Sequence, residues 1–371
     1  MRIGITDFSS YKAVVIARYL KENYPEVQIV SIDTRPFTKF LRSRYSDHHL
    51  VVSNGSIDGY IHAVAKIVEQ YSVDVLLPVN SQELGPFLRA RTKFGRALEY
   101  WGSYKDYCTL HDKAKFQALV EGANLPIPRY YAKLSDCMVP AVLKPVGKSS
   151  SKGVRYFLSE MELDEFKREF VDDKSDYIIQ EYKDGYGAGF SGFFRDGMIV
   201  TGYAHTRLAE YPVSGGSSVY RKGADPDKAV ILEGLVRRLL GHVKWSGFGM
   251  FEFKVTTSGE VVFIECNPRI WGSIGQGLAN RVNFFEHLLG QGGDSSGGGS
   301  SGGDSSSRSP STENQRLTYL SPLIWLSFAG YVRRFKFLPI FEFVRHWRRN
   351  KADINLVDDP LGWLALVLRG G

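Results

Sequence analysis

The chain has 371 residues, 43% of them apolar, enough to fill the cores of two or three packed domains. Its net charge of +7 favours anionic ligands such as nucleotides without demanding nucleic acid. Three cysteines, Cys108, Cys137 and Cys266, show no metal-ligand spacing and leave one unpaired in any pairing scheme, which excludes a disulfide scaffold and points to a reducing, cytoplasmic setting. The opening MRIGITDF lacks the apolar core of a secretory signal, and the most apolar stretch, 317–332, falls short of the roughly 20 residues that span a bilayer.

From residue 1 to about 100, apolar runs of strand length alternate with helical patterns: RIGIT, YKAVVIARYLKENY, VQIVSID, IDGYIHAVAKIVEQY and VDVLLPV. The alternation predicts a parallel sheet wound with helices, a Rossmann-like domain. The turn after the first strand reads TDFSSYK and lacks the glycine fingerprint of a dinucleotide site, so NAD is not expected. Asp33 ends the second strand, where a carboxylate can hold a ribose, but without the glycines nothing else supports that role.

From Trp101 to about Gly290 the strands become rich in aromatic and β-branched residues and end in glycine-rich turns, which predicts an α+β region. In PAVLKPVGKSSSKGV, Lys144 closes a strand and a Gly/Ser-rich turn follows. The backbone N–H groups of such a turn, here Ser149, Ser150, Ser151 and Gly153, can cradle phosphate oxygens beside the fixed charge of the lysine. The spacing is not that of the Walker P-loop, and alone it also fits a plain surface hairpin. YIIQEY, 177–182, ends in Gln180, Glu181 and Tyr182 ahead of DGYGAGFSG, a strand-to-linker junction that can offer an adenine ring an apolar slot and backbone hydrogen bonds. It is equally an ordinary strand with a polar end. Further on, His205, Arg207 and the run Ser214 to Ser218 are expected to face a substrate, with Arg207 as the cation that anchors a carboxylate. A core histidine and a plain loop are the competing readings.

The segments GMFEFKV (249–255) and VVFIECNPRIWGS (261–273) flank TSGE, a hairpin signal. Period two puts Glu252 and Lys254 on the face opposite Phe251 and Phe253, and Glu265 and Asn267 on the face opposite Ile264 and Cys266. Antiparallel pairing then sets two carboxylates and an amide side by side. Like charges that close repel unless a cation neutralises them, and oxygen donors on rigid strands suit Mg²⁺ or Mn²⁺ shared with nucleotide phosphates. Arg269, two residues further on, would reach a terminal phosphate. A solvated polar face with Lys254 as charge partner is the alternative.

Residues 291–316 contain almost nothing that can be buried and read as a flexible Gly/Ser-rich segment that contributes no core. From 317 to 371 aromatic and aliphatic residues return, interleaved with eight Lys/Arg against four Asp/Glu, and predict helices docked on the body. FEFVRHWRRNK within this element reads either as a packed helix or as a surface for an anionic membrane or a lipid-linked substrate.

A strand-end lysine with a Gly/Ser loop, a QEY hinge, a glutamate on one strand and E-x-N-x-R on the next, in this order, resemble the ATP-grasp superfamily. HTRLAEYPVSGGSSVYRKG and ECNPRIWGS look most like its carbamoyl-phosphate-synthase-like carboxylate–amine ligase branch, to which D-aspartate ligases are similar. The resemblance implies an α/β plus α+β chain: a Rossmann-like pre-ATP-grasp domain (1–100), a two-lobed ATP-grasp domain (101–290, with lobes of about 101–180 and 181–290), the flexible 291–316 segment and a helical C-terminal element (317–371). It makes Lys113 and Lys144 the ATP-phosphate lysines and lets the Ser149–Gly153 loop close over the phosphates. Gln180, Glu181 and Tyr182 would flank the adenine, Tyr182 mainly through its backbone. Glu252, Glu265 and Asn267 would hold Mg²⁺, and Arg269 would contact the γ-phosphate or an acyl phosphate. The acidic residue that relatives place after the hinge is not evident in DGYGAGFSG, which leaves the ribose to Asp184 or to backbone.

The activity implied is ATP-dependent joining of a small-molecule carboxylate to an amine, with no nucleic acid involved. A small-molecule kinase on the same scaffold and a non-catalytic nucleotide-binding regulator are the alternatives. No Ser-His-Asp or Cys-His set competes for a role, and phosphoryl transfer to a carboxylate needs none.

Overall fold

The computed structural model describes every residue except 54, 146–152, 170–176, 214–215, 291–314, 321–322, 354–356 and 370–371. The calls on Ser149, Ser150, Ser151, Ser214 and the flexibility of most of 291–316 therefore lie outside the described residues. The first elements are β1 (Arg2–Ile5), α1 (Tyr11–Asn23), β2 (Gln28–Asp33), β3 (His48–Val51), α2 (Ile57–Gln70) and β4 (Val75–Leu77). Their strands form one parallel sheet in the order β3-β2-β1-β4. The apolar runs of β1, β2 and β4 are buried among the helices, as a parallel sheet covered on both faces requires. Helix α2 starts where the Ser56 side chain accepts from the Gly59 N–H.

Three helices follow: α3 (Leu84–Arg89), α4 (Tyr104–His111) and α5 (Lys113–Gly122). Ser103 caps α4 and Asp112 caps α5, each accepting from a first-turn N–H. Their buried residues Tyr107, Leu110, Phe116 and Val120 join the main core with Trp101, Phe248 and Phe263. Packing thus ties 101–125 to the larger part of the molecule, and a separate lobe starts later than Trp101.

That smaller lobe comprises β5 (Tyr130–Tyr131), β6 (Ala141–Pro145), β7 (Arg155–Phe157), α6 (Glu160–Glu169) and β8 (Tyr177–Glu181). Its antiparallel sheet runs β5-β8-β6-β7 and has its own core of Tyr131, Leu143, Phe157, Leu163, Phe166 and Ile179. The larger part adds β9 (Gly185–Arg195), β10 (Met198–Tyr211), β11 (Ser217–Gly223), α7 (Pro226–Leu240), β12 (Gly247–Thr256), β13 (Val261–Asn267) and α8 (Ile274–Ala279). The chain ends with β14 (Leu317–Tyr319), α9 (Leu323–Arg333), α10 (Leu338–Arg345), β15 (Asn350–Ala352) and α11 (Pro360–Arg369).

The order of the large sheet, β13-β12-β9-β10-β11-β14-β15, corrects the expectation of a purely helical C-terminal element. Strand β11 would otherwise expose an unpaired edge, and β14 covers it through Tyr220–Tyr319 and Arg221–Thr318 pairing. Arg221 and Asp353, both fully buried, then form an ion pair that pins the residue after β15 beneath β11. Among the described residues no helix is long and apolar enough to cross a membrane.

Candidate active site

Strands β12 and β13 pair so that Glu252 lies directly opposite Glu265 and Met250 opposite Asn267. The Asn267 amide donates to Glu252 Oε1 at 3.1 Å and to Glu265 Oε1 at 3.2 Å, and its Oδ1 accepts from the Arg269 guanidinium at 2.9 Å. Arg207 reaches the same cluster from β10, across the intervening β9. It can cross because β9 has glycine underneath: a Cβ on Gly187 would lie 2.9 Å from Arg207 Cδ. Its guanidinium meets Glu252 Oε2 at 2.5 Å and Glu210 Oε1 at 3.4 Å. Burial works against the charge of Arg207, but Glu252 and Glu210 outweigh it and hold the group protonated. Burial, followed by the charge of Glu265, pushes the Glu252 carboxyl up, while Arg207 pulls it down.

Lys144, near the end of β6, is aimed by a relay of amides. Its Nζ donates to Gln180 Oε1 at 2.9 Å, and Gln180 Nε2 donates to Gln117 Oε1 at 2.7 Å. Burial lowers the Lys144 ammonium, and the nearby Glu265 and Glu252 resist that shift. Lys113, at the start of α5, donates to the Pro145 carbonyl at 3.5 Å, so both lysines meet at the end of β6. Gln180 thus holds Lys144, whereas the Glu181 carboxylate accepts from Lys183 Nζ at 2.8 Å and its N–H donates to the Arg129 carbonyl at 2.8 Å. The Tyr182 N–H donates to the Pro140 carbonyl at 2.8 Å, and burial followed by the Asp184 carboxylate pushes its hydroxyl up. Gly153 takes a left-handed φ of 77° ahead of β7.

His205 does not face a substrate. It is 1% exposed, lies over Gly189 and pairs with Ser273 Oγ at 3.3 Å. Burial, with Arg207 and Arg221 adding to it, lowers it to about 3, so it is a neutral core histidine. Asp33 is equally committed: its carboxylate accepts from the N–H groups of Ser9, Thr34 and Arg35, which removes it as a ribose ligand.

Two residues of the cluster escape sequence reasoning. Glu210 stands an odd three residues from Arg207, which strict alternation would place on the other face, but register shifts between Arg207 and Glu210 turn it back. His111, at the end of α4, is lowered by burial and by the charges of Arg269 and Lys113. It lies two residues before Lys113 in sequence, and only the fold brings it near Arg269.

The donor set fits a hard divalent cation in part. Glu252 and Glu265 face each other with the Asn267 amide bonded to both, and Arg207 already supplies Glu252 with positive charge. Asn267 turns its NH₂ to the carboxylates here, and presenting Oδ1 to a metal requires the amide to flip away from Arg269. Among the described residues no three His, Cys, Asp or Glu side chains are grouped to hold a metal, so phosphate oxygens and water would have to complete the shell.

No protein-family model matches the sequence, and no curated protein does. Solved structures do. The biotin carboxylase domain of the Hydrogenobacter thermophilus 2-oxoglutarate carboxylase, in complex with MgADP, ADP and bicarbonate, is 15% identical with a TM-score of 0.60, over 78% of this chain and 68% of its own. Campylobacter jejuni biotin carboxylase is 16% identical with a TM-score of 0.61, over 78% and 70%. The N5-carboxyaminoimidazole synthetase of Staphylococcus aureus is 12% identical with a TM-score of 0.58, over 75% and 72%. At such identities the likeness is one of fold. The chain shares with these carboxylases and synthetases a mixed α/β fold.

Proposed function

We propose that the chain is an ATP- and Mg²⁺-dependent ligase that activates a carboxylate as an acyl phosphate and couples it to an amine, with release of ADP and phosphate. The observation that carries this reading is the convergence of Glu252, Glu265, Asn267, Arg269 and Arg207 on one face of the large sheet, near Lys144 and Lys113. The fold adds support, since the similar Hydrogenobacter domain was solved with MgADP and bicarbonate.

In the proposed reaction a carboxylate oxygen of the acid attacks the γ-phosphorus and the bond to the ADP oxygen breaks. The amine then attacks the acyl carbon, loses a proton, and phosphate leaves. Lys144 and Lys113 would hold phosphate oxygens, and Arg269 would lie along the transferring phosphoryl group. Arg207 would anchor the carboxylate of the acid, and the backbone of Glu181 and Tyr182, with Asp184, would take adenine and ribose. Glu252, Glu265 and Asn267 would hold Mg²⁺, which when bound neutralises the β- and γ-phosphate oxygens. The Ser149–Gly153 loop would close over the phosphates, and the pre-ATP-grasp domain would complete the substrate cleft.

Incubation with ATP, Mg²⁺, pools of carboxylic acids and hydroxylamine tests the reading. ADP, phosphate and a hydroxamate are expected, with ADP formation dependent on the acid. AMP release would make the protein an adenylating enzyme, and ADP with a stable phosphorylated alcohol would make it a kinase. Nucleotide binding without any turnover would leave a regulator.

A further inference from the structure

Helices α9 and α10 form a hairpin that docks through one side only. Helix α9 buries Ile324, Ser327 and Phe328, with Tyr331 half-buried, the i, i+3, i+4, i+7 stripe of an amphipathic helix, and α10 buries Pro339 and Phe343. The opposite side is apolar as well. Trp325, Phe337, Leu338, Phe341, Val344 and Trp347 are all more than half exposed, and Phe335, in the turn, is 85% exposed. The patch is continuous across the hairpin, because the Trp325 and Trp347 rings both pack edge-on against Phe343, at 5.9 and 5.7 Å between centroids.

The turn itself is shaped to present its aromatic residue. The N–H groups of Phe335 and Lys336 close onto Val332 and Tyr331 carbonyls, the pattern that ends a helix with a left-handed residue. Phe335 occupies that left-handed position with φ of 55°, where glycine is usual and a bulky side chain is disfavoured. Packing does not repay that strain, since the ring is in solvent.

The charges around the patch have one sign. Between Leu323 and Arg349 there are six Lys/Arg and a single carboxylate, Glu342, which is already engaged with Arg345 and His346. Among the described residues Arg333, Arg334, Lys336, Arg348 and Arg349 make no ion pair and are exposed. A protein partner would be met by a concave or flat face with an apolar centre and a polar rim. Here a protruding tip interleaves aromatic and cationic residues one by one, in the sequence RRFKF, the arrangement that seats at a lipid interface with rings among acyl chains and cations at headgroup phosphates.

We propose that the α9–α10 hairpin docks the protein on an anionic bilayer surface, inserting Phe335 and Phe337 and holding lipid phosphates with Arg333, Arg334 and Lys336. The expected contact moves from FEFVRHWRRNK alone to the turn ahead of it. The same hairpin borders the candidate active site: Ser327 donates to the Glu210 carbonyl at 2.7 Å, the Glu210 N–H donates to Tyr331 at 3.3 Å, and Glu210 holds Arg207. Docking therefore sets the substrate cleft close to the membrane surface.

Co-sedimentation of the full chain with phosphatidylcholine vesicles and with phosphatidylcholine–phosphatidylglycerol vesicles tests the proposal. Binding is expected to the anionic vesicles only and to weaken with added salt. Charge reversal at Arg333, Arg334 and Lys336 together is expected to weaken it on the order of 100-fold. Phe335→Ser with Phe337→Ser is expected to weaken it about tenfold or more, with thermal melting unchanged because both rings are exposed. Background binding to both vesicle types would overturn the proposal, as would anionic binding that neither tip variant alters. A wild-type oligomer that Phe335→Ser dissociates, without vesicle binding by either protein, would assign the patch to self-association instead.

Discussion

Glu83 in the first domain and Glu252 in the large sheet are both carboxylates withdrawn from water, and they are accommodated by different means. Glu83 accepts from the Thr6 hydroxyl, from the Tyr60 hydroxyl at 2.7 Å and from the Asn80 N–H at 3.2 Å. All three donors are neutral. Burial, with Asp7 nearby, outweighs them and pushes the carboxyl up to about 7. Glu252 instead faces the guanidinium of Arg207, whose own charge is secured by Glu252 and Glu210. Burial raises both carboxyls; at Glu83 only neutral donors oppose the shift, whereas at Glu252 the guanidinium of Arg207 does, a positive partner that another cation could replace. Only the second arrangement suits a metal and phosphate site.

The sharpest way to break that contrast is at Glu265. Glu265→Gln keeps the shape of the β13 side chain and removes one of the two opposed charges, so folding should be unaffected. Turnover should fall on the order of 10²- to 10³-fold, as removal of a single charge-stabilising group does in other enzymes. Steady-state ADP release beside a melting curve checks both halves. Unchanged turnover would remove Glu265 from the site.

A purely structural ion pair gives the next largest effect. Arg221 and Asp353 are at 0% and 1% side-chain exposure, and Arg221 also donates to Thr318 Oγ1 at 3.2 Å. Arg221→Met strands the Asp353 carboxylate and should cost about 3–5 kcal/mol by chemical denaturation. Adding Asp353→Leu should recover most of that loss, because two apolar side chains need no charge compensation. A double variant as unstable as the single one would mean that shape, not charge, holds the C-terminal strands.

These cases also mark what the sequence makes legible. Glu252, Glu265 and Asn267 could be grouped in advance because period-two alternation and a four-residue turn predict a hairpin between sequence neighbours, although the bulge between Glu252 and Phe253 that sets Glu252 opposite Glu265 is not legible there. The strand and helix alternation of the first hundred residues is equally local. Strand β3, HHLV, is half-buried at a sheet edge and carries no apolar run to announce it. Glu210 depends on a bulge, His111 on where α4 ends in space, and Asp353 on a partner 132 residues away. The three-residue strands β14 and β15 exist because β11 has an open edge, a fact of the assembled sheet that LTY and NKA do not contain.

The smallest predicted effect concerns the other member of the comparison. In the unfolded chain Glu83 titrates near its ordinary value of 4.5, and in the folded protein at about 7. Below the lower value both states hold the proton. Between the two the unfolded chain releases it and the native state does not, so the unfolded state binds fewer protons and stability falls as pH rises; above about 7 both are ionised and the dependence ends. The loss is at most ~3 kcal/mol. Glu83→Gln keeps an acceptor for Tyr60 and carries no titratable group, so its stability should change less between about pH 5 and about pH 8 than that of the wild type. Urea denaturation of both proteins at the two pH values checks this. Parallel pH dependences would mean that Glu83 does not shift on folding, so that its three neutral donors suffice to offset burial and the charged partner of Glu252 is no distinction between the two sites.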